Sequence, residues 1–169
     1  MIGVRAAEPE DAAAVAGVHV RSWQAAYRGL LPDEYLDGLR PEDRMVRYRF
    51  DSPDPDDPHT VVVTEAGAIL GFVTCGQTAD ADAAPAGEIL ALYVDPDVWG
   101  RGLGSMLIGQ ARGRLADRGF SQAILWVLAG NHRAMRFYQL DRWAPDERRR
   151  EVDVWGVLVE EVRYRRRLP

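Results

Sequence analysis

Lysine is absent from this 169-residue chain, and all 21 basic residues are arginine. Asparagine occurs once, at Asn131, and cysteine once, at Cys75. A GC-rich coding preference accounts for the lack of both Lys and Asn, and it leaves Asn131 as a pointer. A single cysteine excludes an internal disulfide and supplies no thiolate pair for zinc. His19, His59 and His132 are too scattered along the chain to suggest a metal site. No apolar run reaches the roughly 20 residues of a membrane span. The opening "MIGVRAAEPEDAAAV" has no basic segment followed by an apolar one, so no signal peptide is expected. An excess of positive charge is also missing: 26 acidic residues give a net charge of −5, which argues against nonspecific nucleic-acid binding. The expectation is a soluble cytoplasmic protein with no membrane, metal or nucleic-acid partner.

What is present is an ordinary globular composition, 47% hydrophobic, without internal repeats or a linker. One domain over residues 1–169 is expected, large enough to bury roughly 70% of its unfolded surface. "MIGVRAA" alternates as a strand does. "PEDAAAVAGVHVRSWQAAYRGLL" follows the helical period through Ala12, Val15, Val18, His19, Ser22, Trp23, Ala26 and Tyr27, with Gly29 as its end. "PDEYLDGL" and "PEDRMVRYRF" read as two short helices. "DSPDPDDP" (51–58) is a polar loop. Two strands follow around a turn at Ala66-Gly67, then a loop, "ADADAAPAG", read as mobile. "EILALYV" is a buried strand and "SMLIGQARGRLADRG" a helix with Met106, Leu107, Ala111 and Leu115 inward. "SQAILWVLAG" is a strand, and "NHRAMRFYQL" is a helix with Asn131 as N-cap. Two alternating strands around Gly156 close the chain as a hairpin. The arginine runs at 148–150 and 165–167 read as solvated strand ends. This order implies a mixed α/β sheet with helices on both faces.

Between the strand and helix lies "VDPDVWGRGLGSML", with Gly100, Gly102 and Gly104 at every second position. A strand that opens directly into a helix leaves several backbone N–H groups in one small space, made positive by the helix dipole. Glycines let that backbone curl and let a ligand approach, so the turn is built to cradle an anion, most often phosphate, and Arg101 could add charge. The P-loop pattern fails, because the chain from Gly104 lacks its Lys and hydroxyl. The dinucleotide fingerprint fails too, meeting Ser105 from Gly100 and Leu107 from Gly102. A glycine-rich helix cap without a ligand remains the alternative.

"EILALYVDPDVWGRGLGSMLI" resembles motif A of the GNAT superfamily of acyl-CoA-dependent N-acyltransferases, with Val94, Pro96, Gly102, Gly104 and Ser105 matching. One position departs: Trp99 stands where the family usually has Gln or Arg. "LWVLAGNHRAMRFYQLDRW" resembles the family's next motif, a strand, an Asn and a helix carrying Phe-Tyr. "SWQAAYRGLLPDEYLDGL" resembles an N-terminal segment common in bacterial members. The resemblance covers most of the chain. It implies an α/β (α+β) fold, with a mixed, mostly antiparallel, twisted sheet of about seven strands flanked by helices on both faces. It implies acetyl-CoA as co-substrate, held by Leu92, Tyr93, Val94, Trp99, Gly100, Arg101, Gly102, Leu103, Gly104, Ser105 and Asn131. Many such folds dimerise, so a homodimer is a candidate assembly.

Acylating an amine with a thioester requires removing a proton from nitrogen, stabilising the oxyanion and protonating the leaving thiolate. Tyr138 is the candidate acid, two helical turns after Asn131, and the alternative is a core aromatic beside Phe137. Asn131 can cap its helix, contact the coenzyme's pantetheine arm as the family's Asn does, or both. Glu88 is the candidate base. Strict alternation places it on the face of Leu90 and Leu92, where its pKa would rise; the alternative is a solvated strand start. Trp23 and Tyr27, one turn apart, either line the acceptor pocket or fill the helix core. The leading function is N-acetyl transfer from acetyl-CoA to a small or peptidic amine. Transfer of a longer acyl group, a catalytically idle acyl-CoA sensor and an α/β protein that binds no CoA are the alternatives.

Overall fold

The computed structural model describes all residues, Met1–Pro169. In chain order the elements are β1 (Ile2–Ala6), α1 (Ala12–Ala26), α2 (Asp33–Gly38), α3 (Pro41–Met45), β2 (His59–Glu65), β3 (Ala68–Gln77), β4 (Gly87–Val94), α4 (Leu103–Asp117), β5 (Gln122–Leu128), α5 (His132–Leu140), β6 (Ala144–Val154) and β7 (Val157–Arg167). The seven strands form one sheet in the order β1-β2-β3-β4-β5-β7-β6. Every neighbouring pair is antiparallel except β4 with β5. No helix is long and apolar enough to cross a membrane.

Sheet alternation builds two cores. Val61, Val63, Val73 and Ile89 point to the face covered by α4 through Leu103, Leu107, Ile108, Ala111 and Leu115. Val62 and Phe72 point to the opposite face and meet Val15 and Val18 of α1. The valine run in β2 is thus buried on both sides, as an interior strand requires. The rest of α1, with the Tyr27 that follows it, packs through Val20, Trp23 and Tyr27 onto Leu36, Leu39 and Val159. A capping box opens the 3-10 turn at 9–11 that leads into α1: Glu8 and Asp11 satisfy each other's backbone, and Arg5 grips Asp11 at 2.6 and 2.9 Å.

Several local expectations change. Met106 is exposed, because it falls one residue off the Leu103–Leu107–Ala111–Leu115 stripe. The third helix ends at Met45 rather than near Phe50; looser turns follow and carry Tyr48 inward onto His19. Helix α1 ends at Ala26, and Gly29 takes its left-handed conformation in the turn beyond. The loop 79–86 is fastened rather than mobile. Arg163, only 3% exposed, bonds both carboxylate oxygens of Asp82 (2.9 and 3.1 Å) and also Asp146 (2.8 Å), while the Trp126 indole N–H donates to Asp80. Ala83 and Ala86 bury against Ile124 beneath it.

His19 sits within the α1 core among Trp23, Tyr48, Phe72, Tyr93 and Trp155, stacked on Tyr93 at 4.6 Å, with Nδ1 sharing a hydrogen bond with the Tyr48 hydroxyl. Burial, aided by the Arg44 charge, pushes its pKa down to about 3. An unfolded histidine takes its proton near 6.5, so between the two values the unfolded chain binds a proton the folded one refuses. The stabilisation from keeping His19 neutral is complete above about pH 6.5 and is lost as pH falls toward 3, by roughly 1.4 kcal/mol per unit. Urea unfolding of the wild type and His19→Phe at pH 7, 6, 5 and 4 should show the wild-type stability falling faster by about that slope. Parallel pH dependence in the two proteins would refute a buried neutral His19.

Candidate active site

Strands β4 and β5 pair only over Gly87–Ile89 and Ala123–Leu125. Beyond Ile89 the two part, and a cleft of about 660 Å³ opens between them. The backbone groups of β4 that face β5 there lack a strand partner, which is tolerable only where water or a ligand can satisfy them. The far end of β4 is tied to α1: the Ser22 hydroxyl donates to the Val94 carbonyl at 3.0 Å, and Arg21 grips Asp95. The Trp99 indole N–H, from the turn that follows β4, donates to the same carbonyl at 2.8 Å.

The parting coincides with a bulge. Thr74 opposes Ala91 while Cys75 opposes Ile89, so Leu90 is an extra residue in β4 and is exposed. This reverses the alternation and overturns the expected face of Glu88. Ile89, Leu92 and Val94 pack toward α4, while Ala91 and Tyr93 pack toward α1. Glu88, opposite Gly76, therefore shares the face of Ala91 and Tyr93, not that of Leu92. It is 8% exposed, lines the cleft, and accepts a hydrogen bond from the Thr78 hydroxyl at 2.9 Å. Burial raises its pKa, against the lowering effect of that hydrogen bond.

At the other end of the cleft lies the glycine turn. Gly100 and Gly102 have φ of +82° and +79°, and Gly102 is the N-cap of α4. A Cβ on either would meet nothing within 4 Å, so their need for glycine is conformational. Gly104 differs: its Cβ would press the Phe137 ring at 3.2 Å. The first helical bond of α4 runs from Met106 N–H to the Gly102 carbonyl, so the N–H groups of Leu103, Gly104 and Ser105 are left over, with no acidic side chain in that turn. The N-terminus of α5 reaches the same cleft, capped by Asn131, whose side chain accepts from Ala134 N–H at 3.2 Å. Two helix dipoles thus make this end positive.

Of the predicted residues, Trp23, Tyr27, Glu88, Leu92, Tyr93, Val94, Trp99, Gly100, Gly102, Leu103, Gly104, Ser105, Asn131 and Tyr138 all line this cleft. Arg101 does not: it lies outside the turn in a two-toothed ion pair with Glu65, at 3.0 and 2.8 Å. Tyr138 combines both of its readings, lying in the core beside Trp143 and facing the cleft, and burial raises its phenol pKa. Trp23 and Tyr27 are likewise both core and wall, their rings 4.8 Å apart.

Sequence reasoning missed the far wall. Arg150 pairs with Glu161 at 2.7 Å and lies over Trp126 at 4.2 Å, and Trp155 stacks on Trp23 at 4.5 Å; all five line the cleft. The signal was alternation in β7, which puts Glu161 and Arg163 in phase with the buried Val159. The other arginine run is engaged as well: Arg165 bonds Asp146 and Gln122, and Arg166 pairs with Asp141.

The chain is 29% identical over 165 residues to the uncharacterized N-acetyltransferase YuaI of Bacillus subtilis, covering 96% of this chain and 91% of that one. It is 34% identical over 122 residues to an uncharacterized N-acetyltransferase of Archaeoglobus fulgidus, 70% of this chain and 80% of that one. The crystal structure of PaiA N-acetyltransferase from Thermoplasma acidophilum, in complex with coenzyme A, shares the fold with a TM-score of 0.71 at 20% identity, over 95% of this chain and 98% of that one. Residues 20–141 match the Acetyltransferase (GNAT) family, strands β2 to β5 and the whole glycine turn included, and the chain belongs to that family.

Proposed function

We propose that this protein is an N-acetyltransferase that moves an acetyl group from acetyl-CoA to a primary amine, both bound together in the cleft. The observation that carries the reading is the parting of β4 and β5, which puts an anion cradle and two buried proton-carrying side chains around one opening. The residues fit the coenzyme. The free N–H groups of Leu103, Gly104 and Ser105, beside Gly100 and Gly102, suit a pyrophosphate. The unpaired edge of β4 suits the amide groups of a pantetheine arm, with Asn131 beside it. The bound thioester would supply the electrophile.

The protein's own groups would handle the protons. Glu88 accepts the amine proton, directly or through water; its raised pKa brings it closer to that task than an exposed glutamate. Tyr138 keeps its proton, since burial holds the phenol protonated, and can donate to a leaving sulfur. Trp23 and Tyr27 form the acceptor wall, with Trp155 and the Arg150–Glu161 pair beyond. A cytoplasmic setting, where acetyl-CoA is available, suits this chemistry.

Acetyl-CoA at about a hundred times its Kd should stabilise the protein by roughly 2.7 kcal/mol, a rise in Tm of roughly 5–10 °C. Gly102→Val puts a branched side chain at φ +79° and should abolish the shift while the apo protein still melts cooperatively. A shift with longer acyl-CoAs but none with acetyl-CoA would change the donor, and none with any acyl-CoA would sink the reading.

Kinetics separate the two proton carriers. Tyr138→Phe should lower kcat by roughly 10²–10⁴ with acetyl-CoA affinity held within a few-fold, because the phenol acts only as sulfur departs. Glu88→Gln should slow turnover most below the acceptor amine's pKa. Unchanged turnover in the Tyr138 variant, or a pH-independent loss in the Glu88 variant, would remove that residue from its role.

A further inference from the structure

The glycine turn has no free cationic side chain of its own. Trp99 stands where the resembling motif carries Gln or Arg, and its one donor is spent on the Val94 carbonyl at 2.8 Å. Arg101 is held outside the cleft by Glu65. The charge comes from another element. Arg133, the second residue of α5, seats its guanidinium on the face of Trp99, 3.4 Å from the ring centroid, and lines the same cleft as Gly100, Gly102, Gly104 and Ser105. It makes no ion pair. Its pKa is lowered by burial alone, with no carboxylate acting on it. The carboxylates that line the cleft are engaged elsewhere, Glu88 with Thr78 and Glu161 with Arg150. A guanidinium lying on an aromatic face keeps its in-plane N–H donors unused, and that planar fork matches phosphate oxygens.

We propose that Arg133 binds the pyrophosphate of the acyl-CoA at the glycine turn, with Trp99 as the platform that holds its guanidinium there. The assignment rests on the acyl-CoA reading above. It makes the aromatic departure at Trp99 part of the site: the ring replaces a polar side chain of the turn and recruits a charge from α5. Electroneutrality also favours it, since an unpaired, partly desolvated cation beside two helix N-termini is stabilised by an anion between them.

Calorimetric titration of the whole protein with CoA, dephospho-CoA and pantetheine tests this without knowledge of the acceptor. Arg133→Gln should weaken CoA and dephospho-CoA alike by roughly 10–100-fold, the range of a lost charge-assisted hydrogen bond, and leave pantetheine unchanged. The salt dependence of CoA binding should flatten in the same variant. Arg133→Lys should recover part of the loss, and Trp99→Leu should lose affinity in the same pattern but less. Arg136→Gln is the charge control: it lies on the same helix but not in the cleft lining, and should bind CoA within two-fold of the wild type. Equal CoA affinity in the wild type and Arg133→Gln would overturn the assignment. A loss seen with CoA but not with dephospho-CoA would overturn it in favour of the 3′-phosphate. If the unmodified protein binds pantetheine and CoA equally, or binds neither, the acyl-CoA reading falls and this assignment with it.

Discussion

Everything in the cleft depends on two neighbouring strands that begin as partners and then separate. Parallel strands normally continue their ladder, because a buried backbone N–H or C=O without a partner is costly. Here β4 and β5 share only Gly87–Ile89 and Ala123–Leu125. The rest of the arrangement holds them apart. β5 is zipped along its whole length to β7. β4 is bulged at Leu90, paired to β3, and tied at its end to α1 through Ser22 and the Arg21–Asp95 pair. The separation also sets where the helices begin, so α4 and α5 aim their N-termini into the gap their strands leave.

The gap has an electrical gradient that net charge does not reveal. A chain of charge −5 presents a positive pocket end, made by leftover N–H groups, two helix dipoles and Arg133. Away from that end, burial sets the protonation states. Glu88 is pushed toward its neutral form, Tyr138 is held protonated, and His19 in the wall is kept uncharged. All three shifts have the same leading cause, removal of water, and they place weakly held and strongly held protons in one cavity.

An all-arginine inventory is used for its geometry. Arg163 serves Asp82 and Asp146, with Asp80 at 3.5 Å, from one buried guanidinium. A lysine, with a single nitrogen, could not span that set. This clamp holds the loop that carries Thr78 and Asp80, and Thr78 in turn holds the Glu88 carboxylate. Arg44 and Arg133 instead seat themselves on Trp155 and Trp99, at 3.2 and 3.4 Å. Composition recorded only that arginine replaces lysine; partner choice turned those residues into clamps and platforms.

The amino-acid sequence by itself determined most of the elements and the glycine turn, because those are written in short-range order. The helical period from Val15 to Tyr27, the glycine spacing at 100, 102 and 104, and the seven-residue step from Asn131 to Tyr138 each place residues relative to near neighbours, and each survives in the fold. Tertiary structure decided the rest. A single extra residue at Leu90 moved Glu88 to the opposite face, an outcome that strand alternation has no means to foresee. Glu65 drew Arg101 away from the cleft, and Arg163 fastened a loop whose composition reads as loose. The hairpin residues Arg150, Trp155 and Glu161 entered the cleft only because β7 pairs with β5. Periodicity is local, whereas ladder register and ion-pair partners are chosen across tens of residues, so only the folded chain assigns them.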